Sequence, residues 1–146
     1  LETISATSKD LKGIIDTTKN TFAFSVAVNS FSGFNSSLQQ EHFYENYMES
    51  TEYPVATFSG KIIEIVDYNK PGIYNVRAKG ILNIHGVKSE RILRSTVEIK
   101  KNELVVRASF VVSLQDHNIK IPRIVNQKIA PEITIDIEAT LSPEQI

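Results

Sequence analysis

The chain is predicted to be all-β, an antiparallel up-and-down barrel of about eight strands with one or two short helices. Three observations predict it. Apolar and polar residues alternate with period two through most of the 146 residues, which sends successive side chains to opposite faces of a sheet with one buried side. Turn-forming residues fall between the alternating runs, as hairpins require. The runs number about eight, at which a closed barrel is filled by its own side chains or holds one small ligand.

Residues 3–7 and 11–15 are the shortest runs. In 22–28, Phe22, Phe24, Val26 and Val28 share one face and Ala23, Ser25 and Ala27 the other. Residues 55–66 follow. In 73–84, Tyr74, Val76, Ala78, Gly80, Leu82 and Ile84 alternate with Asn75, Arg77, Lys79 and Asn83. Residues 91–99 and 104–114 continue the pattern, the latter setting Val106, Ala108, Phe110, Val112 and Leu114 against Arg107, Ser109 and Ser113. The clearest alternation is 133–141, with Ile133, Ile135, Ile137, Ala139 and Leu141 on one face. Asn69-Lys70-Pro71-Gly72, His85-Gly86 and Lys101-Asn102 are the intervening turns, so adjacent strands should be antiparallel.

Two stretches break the alternation. Residues 37–48 predict a short helix with Ser37 and Gln40 spaced as a capping box, and residues 122–130 a second one, opened by Pro122 and stopped by Pro131. Leu38, Tyr44, Tyr47 and Met48 cannot all face water, so the first helix should lie over one end of the barrel.

Composition narrows function by exclusion. The length and 41% hydrophobic content predict a single domain over residues 1–146. Sixteen basic and seventeen acidic residues give a net charge of −1, so no global field favours nucleic acid. Without cysteine, disulfides, thiolate metal sites and cysteine nucleophiles are excluded. No apolar run is long enough for a membrane-spanning helix. Leu1-Glu2-Thr3 opens the chain without an initiator Met or a charged-then-apolar leader, which predicts a mature or trimmed chain.

His42, His85 and His117 are the histidines. None stands in a nucleophile elbow or a zinc-binding His-Glu-x-x-His, and spacings of 43 and 32 residues encode no local metal-ligand pair. Asp116-His117-Asn118 reads as loop material rather than a catalytic pair. No catalytic residue, metal or cofactor is expected. The inward rows are more informative, because small Gly60, Ala78, Gly80 and Ala108 are interleaved with Phe24, Phe58, Tyr74 and Phe110. Such a row suits either the taper of a solid core or an apolar channel.

Three stretches carry a resemblance: Glu41-His42-Phe43 through Tyr47-Met48-Glu49, Tyr53-Pro54-Val55-Ala56-Thr57-Phe58, and Lys79-Gly80-Ile81-Leu82-Asn83-Ile84-His85-Gly86-Val87. In this order they resemble the YceI-like proteins, whose bacterial members have a lipocalin-like barrel and include polyisoprenoid binders. The resemblance extends from Leu11 to about Leu141. It implies non-enzymatic binding or transport of an apolar or amphiphilic chain, such as a polyisoprenoid or another lipid. The chain would be gripped by Phe24, Val26, Phe58, Tyr74, Ala78, Leu82, Val106 and Phe110 and covered by Phe43 and Tyr47. It also implies a periplasmic or secreted location and His85 near the barrel mouth. Ten residues precede Leu11, where the family has an earlier strand; a missing strand would leave an open edge able to pair into a homodimer. The alternative is a structural or protein-interaction module with a filled barrel and no small-molecule ligand.

Overall fold

The computed structural model describes residues 2–120 and 129–143. Among them, eight strands form one curled sheet: β1 (Glu2–Ser8), β2 (Lys12–Asp16), β3 (Thr21–Ala27), β4 (Val55–Ile62), β5 (Gly72–Ile84), β6 (Val87–Lys100), β7 (Glu103–Ser113) and β8 (Ile129–Leu141). The spatial order is β1-β8-β7-β6-β5-β4-β3-β2. Each alternating run found in the sequence corresponds to one strand. We call the end bearing the His85-Gly86 turn the upper end and the end bearing the Lys101-Asn102 turn the lower end.

From β2 to β8 neighbouring strands are antiparallel, but β1 pairs with β8 in parallel, from Ile4 on Ile133 to Ser8 on Ile137. This corrects the expectation of antiparallel neighbours throughout. The reason lies in chain direction: β1 and β2 descend the barrel one after the other, separated only by residues 9–11. Together they act as one bent seam strand, its upper half joined to β8 and its lower half to β3. The short first strand therefore covers the upper edge of β8 instead of leaving it bare, and a further bridge joins Thr7 to Ser32.

The first helix is α1 (Ser37–His42), which widens into a π-helical turn, Phe43–Tyr47. Its cap lies one residue before the predicted box. The Ser36 side chain accepts from the Gln39 N–H at 3.0 Å, and Gln39 Oε1 accepts from the Asn35 N–H at 3.0 Å. The wide turn brings Phe43, Tyr47 and Met48 inward, all buried, while Leu38 faces water. Of the second predicted helix, residues 122–128 lie outside the described residues. Ile129 and Ala130 belong instead to β8, and Pro131 continues it, its carbonyl accepting from the Leu114 N–H at 2.9 Å.

β4 ends at Ile62 rather than Val66. There the Asn20 side-chain amide donates to the carbonyls of Ile62 (2.9 Å) and Glu64 (2.8 Å), drawing the chain off the ladder. Tyr68 donates its hydroxyl to Asn20 Oδ1 at 2.6 Å, and burial raises the pKa of that hydroxyl. These contacts close the lower end. Among the described residues no helix is long and apolar enough to cross a membrane.

Inside the barrel lie two stacked apolar clusters. The upper joins Ile4, Val26, Phe43, Leu82 and Val112 to the cap, and the lower joins Ile15, Val76, Val97, Leu104 and Leu141. The period-two pattern produces both, since each inward row runs the length of its strand.

Candidate ligand-binding site

Each cluster encloses a void. The upper one measures about 50 Å³ and touches Val26, Phe43, Leu82 and Phe110. The lower one measures about 40 Å³ and touches Val76, Ala78, Val106 and Ala108. Leu11, Phe24, Phe58 and Ile137 border both voids and form a waist between them. Phe24 and Phe58 oppose each other across the β3–β4 ladder, and the Phe22 ring lies 5.8 Å from Phe24 and 5.1 Å from Phe58. Leu11 completes the waist from the point where the seam strand bends.

Eight of the ten residues singled out from sequence line these voids: Phe24, Val26, Phe43, Phe58, Ala78, Leu82, Val106 and Phe110. Tyr47 and Tyr74 do not. Tyr47 is fully buried in the cap with His42 stacked on its ring at 6.3 Å, and Tyr74 packs on the lower cluster with its hydroxyl donating to the Lys70 carbonyl at 2.8 Å. Leu11, Phe31, Met48 and Ile119 were not singled out yet line the upper void. Phe31 and Ile119 come from segments where no period marks the inward side, and Leu11 and Met48 from the ends of predicted elements, where the period is weakest. The strand residues Ile133, Ile135 and Ile137 carry that mark in their alternation.

Gly60 and Gly80 have a different role from the one their size suggests. They oppose each other across β4 and β5, and a Cβ on Gly60 would lie 2.0 Å from the Lys79 carbonyl oxygen, one on Gly80 2.2 Å from that of Ser59. They permit close backbone approach. Ala78 and Ala108 are the small residues that border the lower void.

Polar groups gather around the upper rim. His85 and Gly86 both have positive φ, 55° and 73°, as a two-residue hairpin turn requires. The His85 ring then faces inward: Nδ1 lies 2.9 Å from the His117 carbonyl oxygen, Nε2 bonds the Glu49 carboxylate, and the Tyr53 ring packs edgewise at 4.7 Å. His117, in a 3-10 turn over Gln115–His117, is buried, with Nδ1 3.1 Å from the carbonyls of Ile84 and Val87. These bonds tie the cap, the β5–β6 turn and the end of β7 together. Tyr44 adds a further tie, its hydroxyl donating to the carbonyls of Phe31 and Asn29. His85 meets the His117 backbone while His42 stacks on Tyr47, and among the described residues no three metal-ligating side chains converge.

Chemically, the interior offers hydrocarbon walls. Voids of 50 and 40 Å³ fall well below the roughly 300 Å³ or more of a site that encloses a whole organic ligand. Even joined past the Phe24 and Phe58 rings the two would fall short of that, so occupancy by a chain requires those rings to turn aside and the surrounding apolar side chains to move apart as well.

In fold, the chain is similar to the YCEI protein of Campylobacter jejuni, at 15% identity and a TM-score of 0.69 over 97% of this chain and 86% of that one. It is also similar to Burkholderia cenocepacia BcnA, at 16% identity and TM-score 0.66 over 87% and 79%. A third similar structure is a polyisoprenoid binding domain from Saccharophagus degradans implicated in plant cell wall breakdown, at 18% identity and TM-score 0.59 over 75% and 65%. No curated protein matches the chain in sequence. The family model described as the YceI-like domain matches residues 1–141, and with the eight-stranded curled sheet this shows that the chain belongs to the YceI-like family.

Proposed function

We propose that the barrel binds and carries a single apolar or amphiphilic chain, an isoprenoid or acyl lipid, without transforming it. The observation that carries this reading is the pair of apolar voids in line along the barrel, separated only by the side chains of Leu11, Phe24, Phe58 and Ile137. A flexible chain that turned those side chains aside would occupy both voids at once and gain about 0.8 kcal/mol for each methylene taken from water. The similarity to a polyisoprenoid binding domain supports the same ligand class. His85 and His117 are engaged in bonds that hold the rim, which favours binding over catalysis. A periplasmic or secreted location goes with such a carrier, which would move a water-insoluble chain between surfaces.

The test is titration of the protein with geranylgeraniol and with palmitate, followed by intrinsic tyrosine fluorescence, in the wild type and in Ala56→Trp. Ala56 lines the upper void, so the indole should plug it. The wild type should saturate with either ligand, and the folded variant should bind neither. A wild type that ignores both ligands, or a folded variant that binds as well as the wild type, overturns the reading.

A further inference from the structure

The barrel wall has an opening. β6 and β7 are paired only from Ser95 on Ala108 down to Lys100 on Glu103, yet β6 continues upward to Val87 and β7 to Ser113. Both strands stay in the sheet on their other sides, β6 against β5 as far as Val87 and β7 against β8 as far as Ser113. Above Ser95 and Ala108, then, the wall is split. The split closes again at the top, where His117 bonds the carbonyls of Ile84 and Val87.

Arg91 stands in this opening. It occupies the inward parity of β6, in a row with Leu93 and Val97, and pairs with Gly80 of β5, which has no side chain to compete for the space. Its Nη2 donates to the Val111 carbonyl across the split at 2.9 Å, meeting a backbone acceptor that the ladder leaves unpaired. Its guanidinium carbon lies 5.8 Å from the centroid of the Phe110 ring, and that ring lines the upper void. Arg77 and Arg107 have acidic partners; among the described residues no carboxylate pairs with Arg91. A guanidinium is a permanent cation with five donors in a planar fork, matched to carboxylate and phosphate oxygens. At the edge of an apolar cavity, such a cation is placed to take an incoming anion through charge-assisted hydrogen bonds.

We infer that the β6–β7 opening is a lateral mouth of the upper void and that Arg91 binds the anionic head, a carboxylate or a phosphate, of an amphiphile whose tail lies in the barrel. This rests on the chain-binding reading above and adds the chemistry of the head. The tail passes Phe110 into the upper void, while the head stays at the wall against the guanidinium.

The experiment compares three ligands with the same tail and different heads, hexadecanol, palmitate and hexadecyl phosphate, at neutral pH in the wild type, Arg91→Leu and Arg91→Lys. The wild type should bind at least one of the two anions about tenfold or more tightly than the alcohol, the factor expected of a hydrogen bond to a charged group. The tighter of the two identifies the head. Arg91→Leu should bind the alcohol as the wild type does and lose the preference, and Arg91→Lys should keep part of it. Equal affinity for all three heads in the wild type, or an anion preference that survives in Arg91→Leu, overturns the role of Arg91 while leaving the chain-binding reading intact. Failure of the wild type to bind any of the three, the alcohol included, overturns the chain-binding reading itself. Should Arg91→Leu not fold, the wild-type and Arg91→Lys preferences decide alone.

Discussion

The two halves of the barrel share their strands and differ in how they are closed. In the lower half the β6–β7 ladder is intact, β2 pairs with β3 along its length, and Asn20 and Tyr68 lock the end through hydrogen bonds. In the upper half the β6–β7 ladder is open, and the end is covered by α1 and its π-helical turn, tied to the β5–β6 hairpin by side-chain bonds. Backbone ladders break only with large local unfolding, whereas a packed side-chain cap can lift by itself. On the proposed carrier reading, the lower half is the scaffold and the upper half the entrance.

The contrast is broken most forcefully by truncating a large side chain in each half. Phe43→Ala in the cap and Leu104→Ala in the lower cluster remove fully buried groups, and each should cost about 2–5 kcal/mol in denaturant unfolding. Only Phe43→Ala should also speed lipid release in stopped-flow exchange; equal acceleration by Leu104→Ala would erase the distinction between entrance and scaffold. A smaller effect is expected from filling the lower void. Ala78→Leu should leave farnesol binding near the wild-type value and weaken geranylgeraniol by about tenfold, on the order of two methylenes left unburied. Equal weakening of both would mean that the chain does not reach the lower half.

Much of this fold is legible in the sequence because alternation reports burial strand by strand. Pairing direction is not, since it depends on where the chain returns: runs 3–7 and 11–15 look like two strands of a meander and are two halves of one seam. Seven of the eight lining residues were legible for the same reason as the strands, being large or small groups at inward parity, and Phe43 was legible as an apolar residue of the capping helix. Phe31 was hidden in a segment without a period, while Leu11 and Met48 stood at the ends of predicted elements, where the period does not fix which way a side chain points. Arg91 was visible as the one charge at the inward parity of β6, in a row with Leu93, Val97 and Ile99, but alternation alone does not say that its neighbouring ladder is open.

Two finer predictions concern the locks. His85→Asn keeps a residue that tolerates positive φ but removes the ring bonds to His117 and Glu49, and should cost about 1 kcal/mol while loosening the rim. Amide exchange near Gln115–His117 should rise; unchanged exchange there would mean that the ring does not hold the rim. At the lower end, the side-chain bond from Arg77 holds the Glu64 carboxyl below its ordinary pKa. A lowered carboxyl contributes stability that is present above its unfolded-state pKa and is lost as pH falls through the folded one. Glu64→Gln should therefore flatten part of the acid limb of the denaturation midpoint against pH, a slight effect at an exposed pair. An acid limb as steep as in the wild type would remove Glu64 from this lock.

The carrier reading is tested most directly by native mass spectrometry of the purified protein, followed by organic extraction and identification of what it holds. A stoichiometric isoprenoid or acyl species, retained by the wild type and absent from Ala56→Trp, is the predicted result. A clean apo mass that stays unchanged after incubation with polyisoprenoids and fatty acids would contradict it.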